Sequence, residues 1–290
     1  MIYFLQDSNL NNTSAVLRVW GPDANSYLQG QFTQDLRIKI GETAYGLWLD
    51  LKGKVLADSQ VLKRAENDYL IVSFSCPASV LRARLEAYLI ADEVELADET
   101  AAWAGVLLWG EGAAELPAPK SGLAWPSRRA GGASRQWLVS AGTSAGVISE
   151  LKPPATESSP AAAELERLRA ALPAVPADIG PRDLPNEGGL DEVAISYTKG
   201  CYLGQEVMAR LKNLGQVRRR LHVIHGAGAP PVPGTALYQG ERKVGETRSA
   251  APDPVGFLAM AMLSLVNLDA AAGLSLAPAA PAGIKVLRHV

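Results

Sequence analysis

The feature that most restricts the fold is a pattern that occurs twice. Residues 16–24 read VLRVWGPDA and residues 106–114 read VLLWGEGAA. Each is a short apolar run that ends in Trp-Gly and leads into a stretch expected to be helical. In the first copy Pro22 and Asp23 suit a helix start, and Ala24, Tyr27 and Leu28 then share one helical face. A looser echo follows: YLIVSFSCPASVLRARL (69–85) and QWLVSAGTSAGVISELK (136–152) both pass from strand through small residues into helix. Tyr45 to Leu49 reads as a further strand, and Val55 to Leu62 pairs with Tyr69 to Phe74 in a hairpin around Glu66-Asn67-Asp68. After Pro77, Val80, Leu81, Leu85, Tyr88 and Leu89 recur at helical spacing. The expectation is two α+β units on one plan.

The rest of the chain departs from that plan. Residues 152–173 start as a Pro/Ser linker, after which Ser159 can cap a helix with Pro160 at its first position. That helix is expected to stop at Pro173. Residues 173–192 hold too much Pro and Gly for regular structure, and a long irregular stretch inside a compact protein is often functional. From Arg218 onward short β-like runs (221–225, 235–238, 242–249, 255–261, 284–288) are split by Gly and Pro, the pattern of a small barrel or sandwich.

Composition narrows the chemistry. With 290 residues, 48% of them hydrophobic, the chain can bury a sizeable core and form two or three domains. Its net charge of −2, with the signs mixed, offers no global attraction to nucleic acid or anionic lipid. No apolar run approaches a membrane span, because Ser264 and Asn267 interrupt the longest candidate, and Met1 to Leu5 is too short for a secretory leader. A cytoplasmic protein is the expectation. Two cysteines and three histidines, the latter all near the C-terminal end, argue against a disulfide framework and a Cys/His metal site. GxGxxG and P-loop patterns are absent.

One cysteine stands out. In YTKGCYLGQEVMAR (197–210) Cys201 follows Lys199 and lies between Gly200 and Gly204. A nearby cation favours the reactive thiolate, and a helix starting near Gly204 would turn its positive end toward the sulfur. Both glycines allow backbone conformations closed to other residues and leave the sulfur uncrowded by side chains. Cys76, before Pro77 and without a charged neighbour, reads as a packing residue.

The string Lys199-Gly200-Cys201-Tyr202-Leu203-Gly204-Gln205-Glu206 resembles the KGC[FY]xGQE signature of the YgfZ-type folate-binding family, relatives of the glycine-cleavage aminomethyltransferase (T-protein) implicated in iron–sulfur protein maintenance. GPDANSYLQGQFTQDL (21–36), LDLKGKVLADSQVL (49–62), LRAALPAVPADIGPRDLPNEGGLD (168–191) and Gly245 to Ser249 resemble further blocks of that family. The resemblance implies two related α+β domains and a C-terminal β-barrel around a central channel that accepts tetrahydrofolate or a one-carbon derivative. The expected organisation is residues 1–100 as the first α+β domain, completed by part of 160–215. Residues 101–155 would form the second, 156–217 the linker helix and signature segment, and 218–290 the barrel. By resemblance Glu187, Gln31, Thr33, Asp35, Arg169, Tyr202, Gln205 and Glu206 would bind the folate, with Cys201 and Lys199 as the reactive pair on the channel rim and no metal.

Two departures bear on subfamily. The transferases carry an acidic pair where this chain has Ala57-Asp58, and an acid where it has Ala170; they also lack the KGC signature. The resemblance therefore implies a folate-binding accessory protein for iron–sulfur clusters in client or assembly proteins, including clients that modify tRNA. The thiol could attack a folate adduct, exchange with a client disulfide or hold a cluster with partner ligands. The alternative is a folate-dependent aminomethyl- or methyltransferase using Asp58, which otherwise reads as an exposed strand residue. A third reading is a scaffold acting through Arg218-Arg219-Arg220, a triplet that argues weakly for direct nucleic-acid binding.

Overall fold

The structure is a computed structural model that describes residues 1–7, 13–131, 133–152, 155–266, 268–269 and 272–290. In chain order the strands are β1 (Ile2–Asp7), β2 (Ala15–Trp20), β3 (Thr43–Leu49), β4 (Val55–Ala65), β5 (Asp68–Ser73), β6 (Glu95–Asp98), β7 (Trp103–Gly110), β8 (Gly122–Pro126), β9 (Arg135–Ser140), β10 (Ala155–Glu157), β11 (Arg219–Gly226), β12 (Ala236–Gln239), β13 (Arg242–Asp253), β14 (Gly256–Ser264) and β15 (Ile284–His289). The helices are α1 (Ala24–Gln31), α2 (Ala78–Glu86), α3 (Ser144–Leu151), α4 (Pro160–Arg169), α5 (Leu190–Ala194) and α6 (Gln205–Leu214). No helix among the described residues is long and apolar enough to cross a membrane.

The strands form three five-stranded sheets, ordered β3-β4-β5-β2-β6, β10-β1-β7-β9-β8 and β12-β13-β14-β11-β15. The first two share a plan. In each, the strand ending in Trp-Gly lies antiparallel to the strand that feeds the next helix: β2 on β5 ahead of α2, and β7 on β9 ahead of α3. The Trp-Gly glycines do the same work. Gly21 (φ +130°) and Gly110 (φ +97°) both have left-handed φ values, and an added Cβ would sit 2.2 Å from the Glu93 carbonyl oxygen and 2.3 Å from the Met1 carbonyl oxygen respectively. Only a residue without a side chain allows another backbone that close.

Two expectations change here. The second Trp-Gly leads into turns over 111–116 rather than a helix, since Gly112 has φ +87° and Pro117 and Pro119 follow. And β1, expected with the first unit, completes the second sheet: it runs antiparallel to β7 and parallel to β10. It takes the place beside β7 that β6 takes beside β2, covering an edge whose N–H and C=O groups would otherwise lack partners.

The first two sheets meet through Val16, Leu62, Leu70 and Val72 on one side and Trp125 and Leu138 on the other. α1 and α2 cover the opposite face of the first sheet, with Ala24, Tyr27, Leu28, Leu81 and Leu85 buried; Val80 turns to solvent instead. Each fully buried Leu contributes about 1.5–3 kcal/mol. α4 is capped as expected, Ser159 Oγ accepting the Ala162 N–H at 3.2 Å. Residues 173–183 then run beside it, held by the buried pair Arg167–Asp178 at 2.7 Å, with Ser249 Oγ of β13 donating to Asp178 Oδ1 at 2.6 Å.

The third sheet carries all five strands expected beyond Arg218. Its edge strands β12 and β15 do not pair with each other. Isolated bridges through Leu274 and Ser275 connect them, Tyr238 to Ser275 and Leu274 to Ile284. One face packs as a separate core around Phe257, Leu237 and Ile284. The other joins Leu47, Leu49 and Val55 of the first sheet to Leu221, Met260 and Met262, with Leu168, Ile179, Leu190 and Tyr202 between them. The signature segment is therefore part of the packing between the first and third sheets.

Candidate ligand-binding site

A cavity of ≈ 280 Å³ opens where the first two sheets and α4 converge. Period-two alternation along β4 places Asp58 and Gln60 on its wall, with Tyr45 of the neighbouring β3 beside them. Arg128 and Arg129, just after β8, form the opposite side, and Ala163, Glu164 and Arg167 of α4 with residues 173–175 form the third. Leu5, Val72, Leu107, Trp125 and Val175 supply apolar surface. The volume is near the lower end for small-molecule sites, which begin at about 300 Å³.

Asp58 is the chemical centre of this wall. Tyr45 donates its hydroxyl to Asp58 Oδ2 at 2.9 Å. Burial pushes the Asp58 carboxyl up to about 6, against the Tyr45 hydrogen bond and the charges of Arg128 and Arg129. Burial and the adjacent Asp58 charge raise Tyr45 well above the ordinary phenol range, so its proton stays on oxygen. Asp58 is thus a carboxylate near neutral pH that accepts a proton readily. The expectation that it is an exposed strand residue is corrected: its face of β4 looks into the cavity because the second sheet stands over it.

The signature segment lies elsewhere. Cys201 is exposed and is not part of the cavity lining. The Lys199 ammonium is buried and donates to the carbonyl oxygens of Gln29 at 2.7 Å, Phe32 at 2.6 Å and Gln34 at 3.1 Å, using all three of its donors. Burial pulls Lys199 down to about 8. It ties the end of α1 to the signature segment rather than hydrogen-bonding the thiol. Leu203 N–H bonds the Gly30 carbonyl at 3.0 Å, and Tyr202 is buried with its ring 5.3 Å from the Lys199 ammonium.

With this geometry the chain can be compared with known proteins. The GCVT N-terminal domain family model matches residues 11–122, and the CAF17 C-terminal β-barrel domain model matches residues 218–286. The chain joins a GCVT-like domain to a CAF17-type barrel domain. It is 27% identical over 240 residues to an iron–sulfur cluster assembly factor IBA57 homolog, mitochondrial, of Cryptococcus neoformans, covering 71% of this chain and 63% of that protein. The match thus spans less than two thirds of the fungal relative. It is 29% identical over 252 residues to the tRNA-modifying protein YgfZ of Vibrio vulnificus, covering 84% of this chain and 77% of that one. In structure it resembles glycine cleavage system aminomethyltransferase T of Bartonella henselae, with a TM-score of 0.79 at 19% identity over 94% of this chain and 81% of that one. The YgfZ-type resemblance read from residues 199–206 holds, and the fold is of the aminomethyltransferase kind.

Within this GCVT-like frame most of the other expected site residues are engaged with the protein itself. Glu187 is buried; it accepts Arg219 Nε at 2.8 Å and the Leu184 N–H at 2.8 Å. Arg219 also bonds Asp183 at 2.8 Å, so the arginine triplet does not present three unpaired charges. Thr33 donates to the Ala194 carbonyl and accepts the Leu47 N–H, each at 2.7 Å. Gln31 accepts Arg84 at 3.0 Å. Arg37 binds Asp35 and holds its carboxyl well below the usual range. Arg169 is paired with Glu166 at 2.9 Å and Asp253 at 2.8 Å. Gln205 and Glu206 lie in the first turn of α6, with Glu206 exposed. Of the named candidates, only Asp58 lines the cavity. Sequence reasoning passed over Tyr45, Gln60, Arg128 and Arg129. The adjacent arginines after Trp125 were a visible signal, but nothing local shows that β8 carries them to face β4.

Proposed function

We propose that the protein binds a reduced folate in the cavity between the first two sheets and acts as an accessory in the maturation or repair of iron–sulfur proteins. The observation that carries the folate reading is a partly apolar cavity, open to solvent on one side, with the Asp58 carboxylate on its wall, in a GCVT-like fold. A pteridine presents ring and amino N–H groups that a carboxylate accepts, and its flat rings suit a wall of Trp125, Leu107 and Val72. When bound, the folate would supply one-carbon chemistry. The protein's own part is to hold the ring at Asp58 and Gln60 and to exclude water behind Tyr45. The name of the IBA57 relative, an iron–sulfur cluster assembly factor, supports the iron–sulfur reading, and that of the tRNA-modifying protein YgfZ supports a link to tRNA modification. Cys201, exposed on a segment fastened by Lys199, is the thiol offered to a client or assembly protein.

A reduced-folate titration of the purified protein tests this. Binding is expected in the wild type and in Cys201→Ala, and is lost in Ala163→Phe, which fills the cavity. Should that variant fail to fold, Asp58→Asn is expected to weaken binding instead. No binding by the wild type, or unchanged binding in both cavity variants, would sink the reading. A second reading is favoured by Asp58 itself: a carboxyl pushed up to about 6 by burial suits a general base in an aminomethyl transfer. Rescue of a strain lacking the homologue separates the two. The accessory reading has Cys201→Ala failing, with Asp58→Asn impaired only as far as its folate binding is weakened; the transferase reading has Cys201→Ala mild and Asp58→Asn failing even at saturating folate.

A further inference from the structure

Two adjacent arginines reach the same cavity wall with different partners. Arg129 grips Asp7 with both terminal nitrogens, at 2.6 and 2.8 Å, and reaches Gln136 at 3.0 Å. Arg128 turns instead to Tyr45 and Asp58. The Tyr45 hydroxyl accepts from Arg128 on one side and donates to Asp58 Oδ2 at 2.9 Å on the other. The Arg128 guanidinium carbon lies 5.4 Å from the centre of the Tyr45 ring, and its charge also acts on Asp58 directly. A phenol can both donate and accept, whereas a guanidinium only donates. With a donor-only group against its oxygen, the Tyr45 hydroxyl turns its one proton onto the carboxylate. The reverse arrangement, a protonated Asp58 donating to Tyr45, would set two donors on one oxygen and take the acceptor away from the phenol's own proton. The other groups around Asp58 do not compete for this task. Arg129 is neutralised by Asp7. Glu164 and Arg167, which line the cavity from α4, pair with each other at 2.6 Å. Cys76, ahead of α2, keeps its proton, its thiol pushed up to about 11 by burial.

We propose that Arg128 is a positioning residue of this site: through the Tyr45 hydroxyl it fixes Asp58 as the proton acceptor that meets the ligand. This deepens the folate reading and rests on it, since the N–H groups of a pteridine need a carboxylate that stays ionised in a buried place. Burial pushes the Asp58 carboxyl up to about 6, and the Tyr45 hydrogen bond and the Arg128 charge both work against that rise. Without Arg128 the carboxylate would take up a proton nearer neutral pH and stop accepting there.

The Asp58 carboxyl titration, read by carbon NMR in the ligand-free protein, and tetrahydrofolate affinity at two pH values test this. The carboxyl of the wild type is expected to titrate near pH 6. Arg128→Gln is expected to raise that midpoint by about one pH unit. The same change should weaken tetrahydrofolate by about threefold at about pH 6.5 and leave it unchanged at about pH 8.5, where Asp58 is ionised in both proteins. Arg128→Lys, which keeps the charge but not the planar fork, is expected to fall between. In a Tyr45→Phe background Arg128→Gln should move the midpoint by less, because the hydroxyl it acts through is gone. A thermal melt of each variant establishes folding, and if Arg128→Gln is unfolded the Lys variant carries the comparison. An unmoved Asp58 midpoint, an equal loss of affinity at both pH values, or the full shift in the Tyr45→Phe background overturns the positioning role and leaves the folate reading standing. A wild type that binds no tetrahydrofolate overturns the folate reading, while the Asp58 midpoints still decide the role of Arg128.

Discussion

Asp58 shows what a functional side chain demands of its surroundings. Its carboxyl rises from 3.8 in the ordinary range to about 6 in the fold because burial disfavours the charge. The folded state therefore holds a proton that the unfolded state has released between about pH 4 and pH 6, so stability falls as pH rises through that window and stays lower above it. Asp58→Asn removes this cost while keeping an acceptor for Tyr45. Urea midpoints should show the variant more stable by on the order of 2 kcal/mol at pH 7.5, converging with the wild type below pH 4. A variant equal to or weaker than the wild type at pH 7.5 would show that the carboxylate is not strained by its site. Lys199 shows the opposite economy. Its ammonium serves three carbonyls at the end of α1, so replacing it disturbs the fold before it disturbs any thiol chemistry.

At the scale of elements, the signature's two glycines have different reasons to be glycine. Gly204 has φ +83°, and an added Cβ would lie 2.8 Å from the Asp50 carbonyl oxygen and 3.3 Å from Gly53 Cα. Gly53, at φ +73°, faces Met208 and Val207 of α6 equally closely. The start of α6 and the β3–β4 turn thus touch backbone to backbone. Gly200 has no atom within 4 Å of an added Cβ and no left-handed φ. Of the two glycines, only Gly204 uses the conformational freedom that glycine allows. Gly204→Ala should lower the melting temperature by several degrees, because strain and clash together cost at least about 1–2 kcal/mol. Gly200→Ala should stay within about 0.5 kcal/mol of the wild type. Melts of the two variants side by side check both, and equal loss in each would remove the close approach as the cause.

Across the whole molecule, the cavity exists only because three parts meet, so a ligand there binds the assembled fold and not the unfolded chain. Reduced folate at 100 times its dissociation constant should stabilise the protein by about 2.7 kcal/mol, and a melt that does not move with saturating ligand would contradict a site formed by both sheets. Local order was readable from residues alone. The strand, hairpin and helix positions of the first unit, the Ser159 cap and the five C-terminal strands follow from alternation, helical spacing, and Gly and Pro breaks, which act within a few residues. The eight-residue signature likewise identified the kin of the chain. What the chain could not disclose by itself was adjacency between distant segments. That β1 belongs to the second sheet, that Lys199 closes α1, that Glu187 is taken by Arg219 and that Asp58 faces Arg128 are all pairings across tens of residues or more. Such pairings are decided by which edges and faces find cover on folding, a property of the packed sheets that short-range pattern does not encode.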